Sequence, residues 1–238
     1  MKFEFLRNGF VKLDRLIPFS EVEKIRVLYN ALLNDRQRTV GLRSDLSGDG
    51  ENKNTVEKIT QIMCPNMIES KLLESSVYKA ALNYAKELLG NDMELDFDML
   101  INKAPYTNTP TPWHQDAAYW IKMPDKRSVS CWIALDDVYK DNGCMWFIPK
   151  EKDIIKTHTL YAKEGALHCE ADINEAQCIP LYAGGCTFHD GFTLHFSRGN
   201  ITNSQRRALI LNFRPKEMII LERKQGVDHT GERKVRSK

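Results

Sequence analysis

Near residue 93 the hydrophobic period of the chain changes, and no other feature limits the fold as much. Upstream, apolar residues recur at helical spacing. Val22, Ile25, Leu28, Tyr29 and Leu32 form one stripe, and Val77, Ala81, Tyr84 and Leu88 form a second. From Met93 the period is two: Met93, Leu95, Phe97, Met99 and Ile101 alternate with Glu94, Asp96, Asp98 and Asn102. Successive side chains of a strand point to opposite faces, so this pattern predicts a half-buried strand. More short strands follow. One spans Ser128 to Val138, with Val129, Cys131, Ile133 and Leu135 opposed to Ser130, Trp132 and Ala134. Cys144 to Ile148 reads as its return after the Asp141-Asn142-Gly143 turn, and others run from Gly185 to His189 and from Arg206 to Arg214. A helical lead-in followed by short strands predicts an α+β architecture. Its all-β core is a double-stranded β-helix (jelly roll, cupin-like) with N-terminal supporting helices on one side.

Local signals mark the element ends. Ser20 and Glu23 read as a capping box for the first helix. The second begins near Ser75 or Ser76 and stops at Gly90. Two long connections, Asn34 to Thr60 and Pro149 to Pro180, are polar or irregular, and long connections are often functional. Both are expected to cover a pocket. No Pro/Gly/Ser-rich linker divides the 238 residues, so one domain is expected over 1–222, followed by a solvated basic tail over 223–238.

Composition narrows the partners. With 34 basic and 32 acidic residues the net charge is +2, which leaves no footprint for nucleic acid. No apolar run approaches the roughly 18 residues of a membrane span. Lys2, Glu4 and Arg7 interrupt the apolar run a signal peptide would need. Cys64, Cys131, Cys144, Cys169, Cys178 and Cys186 form no C-x-x-C pair, so the expectation is reduced thiols in a cytoplasmic protein without structural zinc. The expected partner is a small-molecule substrate, and the oligomeric state stays open.

The chemistry concentrates in Thr111-Pro-Trp-His-Gln-Asp116. In an extended strand His114 and Asp116 share a face, so an imidazole and a carboxylate aim at one point. A third ligand from a distant strand would complete a 2-His-1-carboxylate triad, a set that leaves coordination positions open and suits non-haem Fe(II). Phe188-His-Asp-Gly-Phe-Thr-Leu-His195 offers two candidates, His189 and His195. A short loop then separates His195 from Arg206, whose planar fork suits a carboxylate. A one-residue slip would give that role to Arg207. A metal with open positions beside an Arg clamp is what a 2-oxo diacid requires. His158, His168 and His229 have no partner at ligand spacing and read as surface residues.

These segments resemble the phytanoyl-CoA dioxygenase family of Fe(II)/2-oxoglutarate oxygenases. The likeness runs through Asn8-Gly-Phe-Val-Lys-Leu13, Met99-Leu-Ile-Asn-Lys-Ala-Pro105, Pro112-Trp-His-Gln-Asp116 and Trp132-Ile-Ala-Leu-Asp-Asp137. It continues through Asn142-Gly-Cys-Met-Trp-Phe-Ile-Pro149, His195 to Arg206, and Asp228-His229. The resemblance implies His114, Asp116 and His195 as iron ligands and Arg206 as the clamp on 2-oxoglutarate. It implies Met99, Trp132 and Ser197 as further cosubstrate contacts. Gln61 stands where the founding enzyme has a lysine. After Pro149, Lys150-Glu-Lys152 replaces the Gly-Ser-His of many members. The cofactors implied are Fe(II), 2-oxoglutarate and O2. The implied reaction is hydroxylation of a C–H bond with release of succinate and CO2. Related halogenating enzymes carry a small residue at the carboxylate position, so Asp116 implies oxygenation. Two rivals are a catalytically silent module that binds 2-oxoglutarate or metal, and a cupin-like Zn or Mn enzyme that does not use 2-oxoglutarate. The intact triad argues against the first and Arg206 against the second.

Overall fold

A computed structural model describes residues 1–47, 56–150, 152–161 and 166–230. In chain order its elements begin with α1 (Lys2–Asn8), β1 (Phe10–Leu13), α2 (Phe19–Asn34), β2 (Arg43–Asp45), β3 (Ile59–Met63), α3 (Pro65–Ile68) and α4 (Ser76–Leu89). There follow β4 (Met93–Lys103), β5 (Thr111–His114), β6 (Val129–Ala134), β7 (Met145–Ile148), β8 (Thr159–Leu160) and β9 (Leu167–His168). The last are β10 (Gln177–Ile179), β11 (Cys186–His189), β12 (Leu194–Ser197), β13 (Arg206–Pro215) and α5 (Lys216–Lys224).

Seven strands form the larger sheet in the order β1-β11-β6-β13-β4-β3-β2, and four form the smaller in the order β10-β7-β12-β5. The two faces of the larger sheet bury different partners. Leu209, Leu211 and Phe213 of β13 join Val129, Cys131 and Ile133 of β6 against the stripes of α2 and α4. Ala208 and Ile210 point the other way, and with Met99 and Trp132 they meet Met145 and Phe147 of the smaller sheet. This is the expected jelly roll backed by helices, and the alternation along β6 matches the sequence reading.

Several local expectations need correction. The alternation from Met93 to Ile101 does not stay on one face. Opposite β13, Phe97 pairs with Asn212 and Leu95 with Phe213, so Asp96 is an extra, bulged residue. A bulge shifts the phase by one. Met93 and Leu95 therefore pack on the helix side, whereas Phe97, Met99 and Ile101 pack toward the smaller sheet. Nor is β4 half-buried. It lies between β3 and β13, so Asp96, Asp98 and Asn102 are buried too.

The capping box does not form, because α2 starts at Phe19 after Pro18 in extended conformation. Glu23 instead pairs with Arg26. Within the expected connection 34–60, β2 and the start of β3 extend the larger sheet. All five residues of β3 are buried, so its sequence shows no period. Cys144 to Ile148 does not return beside β6 either; β7 crosses to the smaller sheet and pairs with β10 and β12. Gly143 turns the chain there at φ 90°, and a Cβ would sit 2.7 Å from the Arg198 carbonyl oxygen.

At the C-terminal end α5 runs across position 222. Arg223 donates to the Asp96 carboxylate at 2.6 Å, and His229 stacks on Phe97 with ring centroids 4.0 Å apart. His229 is therefore packed, not a surface residue. Among the described residues no helix is long and apolar enough to cross a membrane.

Candidate active site

His114 ends β5 and His195 lies in β12, and the two are directly opposed in the β5–β12 ladder. Opposed residues of antiparallel strands share a face, and the two ring centroids are 4.1 Å apart. Gln115 continues in extended conformation, which returns Asp116 to the face of His114. Asp116 Oδ1 lies 3.7 Å from His114 Nε2 and 3.6 Å from His195 Nε2. The three ligand atoms fall within 4.8 Å of one another.

Backbone carbonyls fix both imidazoles. His114 Nδ1 is 2.7 Å from the Pro112 oxygen and His195 Nδ1 is 3.0 Å from that of Thr193. A carbonyl only accepts, so each Nδ1 carries the proton and each Nε2 turns a lone pair inward. Metal-ligating histidines are oriented in this way. Burial, with the nearby His114, holds the His195 pKa well below its ordinary value and keeps the ring neutral. Burial works against the Asp116 carboxylate, but His195, His189 and His114 outweigh it and hold its pKa well below the usual range. The donor set is thus two imidazole nitrogens and one carboxylate, which fits a divalent metal.

His189, the other candidate, belongs to β11 in the larger sheet. Its Nε2 lies 3.5 Å from Asp116 Oδ2, whereas Oδ1 is the oxygen near His114 and His195. Ser130 Oγ donates to that same oxygen at 3.0 Å and sits 2.6 Å from the Asn212 side-chain amide. These groups orient the carboxylate from behind. Asp190 points outward to Lys150 and accepts from Thr193 Oγ1 at 2.8 Å.

Arg206 opens β13 and is 1% exposed. Its guanidinium lies 5.3 Å from the Trp132 ring centroid, and its Nε and Nη1 have no hydrogen-bond partner among the described residues. Burial lowers its pKa to about 10, which leaves it charged at neutral pH. A buried charge without a partner is costly, so this arrangement calls for an anion. Arg207 projects to the opposite face and forks Asp136 through Nε at 3.0 Å and Nη2 at 2.6 Å. Arg207 therefore has a carboxylate partner of its own, away from the cleft.

Gln61, Met99, Trp132, Ser197 and Arg206 line one cleft together with His114, Asp116, His189 and His195. Residues 5–208 match the family model described as phytanoyl-CoA dioxygenase (PhyH). The chain belongs to that family. Human peroxisomal phytanoyl-CoA dioxygenase is 24% identical over 220 residues, which cover 87% of this chain and 65% of the relative. The chain thus spans just under two thirds of that relative's length. Among solved structures, EvdO2 of Micromonospora carbonacea var. aurantiaca complexed with 2-oxoglutarate is 29% identical with a TM-score of 0.75. That match covers 89% of this chain and 88% of EvdO2. The epimerase SnoN in complex with Fe3+, alpha ketoglutarate and nogalamycin RO shares the fold at 21% identity and a TM-score of 0.71, over 89% of this chain and 81% of SnoN.

Several residues escaped sequence reading. Gln115 points away from His114 and Asp116, and its Nε2 donates to the Ile154 and Phe192 oxygens while Oε1 accepts from Lys156 N–H at 2.8 Å. Its own N–H donates to His158 Nε2 at 3.1 Å, so half-buried His158 is not a surface residue either. Position 115 lies between His114 and Asp116, and strand alternation alone would have aimed it at the opposite layer. Lys150, which departs from the family pattern, pairs with Asp153 and Asp190. Leu46 and Ala166, from the two long connections, line the cleft as expected of a cover. The fully buried Lys103 was overlooked as well, although Met99, Ile101 and Lys103 share one face of β4.

Proposed function

We propose that the protein is a non-haem Fe(II)- and 2-oxoglutarate-dependent dioxygenase that hydroxylates a C–H bond of a small molecule, releasing succinate and CO2. One observation carries this reading: a two-His, one-Asp cluster and an unpaired buried guanidinium line the same cleft. His114, Asp116 and His195 would hold the iron and leave its other positions open. Arg206 would grip the distal carboxylate of the cosubstrate. Trp132 and Met99 wall that end against water, and Ser197 and Gln61 offer a hydroxyl and an amide. Iron with its cosubstrate and O2 supplies the oxidising power when bound. The protein's part is to orient the reactants and keep the site dry. Asp116 fills the carboxylate position, which favours oxygenation over halide transfer.

Among the described residues, Leu46, Tyr119, Ala166 and Phe196 border the rest of the cleft, and Arg206, Asp116, the imidazoles and the Tyr119 phenol are the titratable groups that line it, which favours an uncharged reacting portion of substrate. Screening neutral small molecules for 2-oxoglutarate-dependent succinate release, with mass analysis of the product, tests the reading. A product heavier by one oxygen is expected. Turnover of a substrate without 2-oxoglutarate would contradict it, and so would a brominated product in excess bromide.

A further inference from the structure

Lys103 is a fully buried amine at the end of β4, opposite Arg206 in the β4–β13 ladder. Opposed residues share a face, so these two cationic side chains emerge side by side. Lys103 Nζ donates to three backbone oxygens: Thr109 at 3.1 Å, Ser197 at 3.2 Å and Arg198 at 2.7 Å. Three acceptors require three N–H bonds. An ammonium supplies them and a neutral amine does not. Among the described residues no carboxylate pairs with Lys103 or with Arg206. Burial and the adjacent guanidinium both press the Lys103 pKa well below its ordinary value, which measures how unfavourable two neighbouring buried cations are when alone.

We propose that Lys103 is a specificity-determining residue, whose buried ammonium gives the cleft, with Arg206, its preference for a 2-oxo diacid over a 2-oxo monoacid. The proposal rests on the 2-oxoglutarate reading above. Lys103 does not line the cleft. It stands behind Ser197, which does, and acts through the field, weakly screened in a buried site. An anion seated at Arg206 would relieve the repulsion between the two cations. A purely structural role is the alternative, in which Lys103 staples the lead-in to β5 at Thr109 to the end of β12.

The two roles separate by ligand charge. The dissociation constants of 2-oxoglutarate and of 2-oxovalerate, a five-carbon 2-oxo acid lacking the distal carboxylate, are to be measured by calorimetry on the anaerobic Fe(II)-loaded enzyme. Variants Lys103→Met and Lys103→Gln should lose about tenfold of the diacid-over-monoacid preference, as expected for one buried unit charge. Lys103→Arg, which keeps the charge, should retain it. Equal weakening of both ligands, with the ratio intact, would show a staple only and overturn the proposal. A failure of the parent reading looks different: the unmutated enzyme would itself show no preference for 2-oxoglutarate. If the neutral variants do not fold, the 15N resonance of Lys103 Nζ in the 2-oxoglutarate complex decides, assigned by its absence from Lys103→Arg. An ammonium at pH 7.5 is required, and a neutral amine would refute the idea.

Discussion

Arg206 and Arg207 are adjacent in sequence and opposite in role, because strand alternation sends one into the cleft and the other to Asp136. The consequence is measurable. Arg206→Ala should weaken 2-oxoglutarate binding roughly 10- to 150-fold, the worth of a charge-assisted hydrogen bond of about 1.5–3 kcal/mol. Arg206→Lys should recover part of that, since a point charge lacks the fork. Arg207→Ala should leave the affinity within about twofold. Calorimetric titration checks all three, and a larger effect at Arg207 would move the clamp. A similar contrast holds for the histidines. His195→Ala should abolish iron binding, whereas His189→Ala should retain one iron per chain by metal analysis, because His189 meets only Oδ2 of Asp116. At this scale the His-x-Asp geometry was legible, since it needs only alternation. The choice between His189 and His195 was not legible from alternation, because each lies on the inner face of its own sheet. Ladder pairing with His114 separates them.

Both β3 and β6 are buried along their whole length, so legibility turned on the residue types each carries. Val129, Cys131 and Ile133 alternate with Ser130, Trp132 and Ala134 in β6 and read directly, whereas Ile59-Thr-Gln-Ile-Met63 in β3 carries no period. The Asp96 bulge left no sequence signature either, since the alternation continues unbroken through it. Its effect is to place Asp98 against α3 and α4, where Asn66 and Tyr78 bond its carboxylate. Burial nevertheless raises the Asp98 pKa to about 6, against those hydrogen bonds. The folded state therefore holds this proton more tightly than the unfolded chain does. Its contribution is fully present below the unfolded value of 3.8 and is lost as pH rises through about 6. At about 1.4 kcal/mol per pH unit this amounts to roughly 3 kcal/mol. Denaturant unfolding of the chain should show that decline between about pH 4 and pH 6, and Asp98→Asn should flatten it. An unchanged slope in Asp98→Asn would remove Asp98 as its source.

Over the whole molecule, period alone gave the helical layer and the strand-rich core, but not which strands face which. The turn at Gly143 looked like a hairpin, yet it carries β7 into the opposite sheet, where β7 pairs with the His195 strand. That crossing lets the site draw on both sheets. His114 and His195 come from the smaller sheet, and Met99, Trp132 and Arg206 from the larger. On the proposed reading the triad and Arg206 form one site, in which metal and 2-oxoglutarate bind together. Titrating 2-oxoglutarate into the protein with and without Fe(II), under anaerobic conditions, decides whether they do. Affinity should fall at least about tenfold when iron is removed by chelation, and His195→Ala should reproduce that loss with iron present. An affinity for 2-oxoglutarate indifferent to both iron and His195 would show two separate sites.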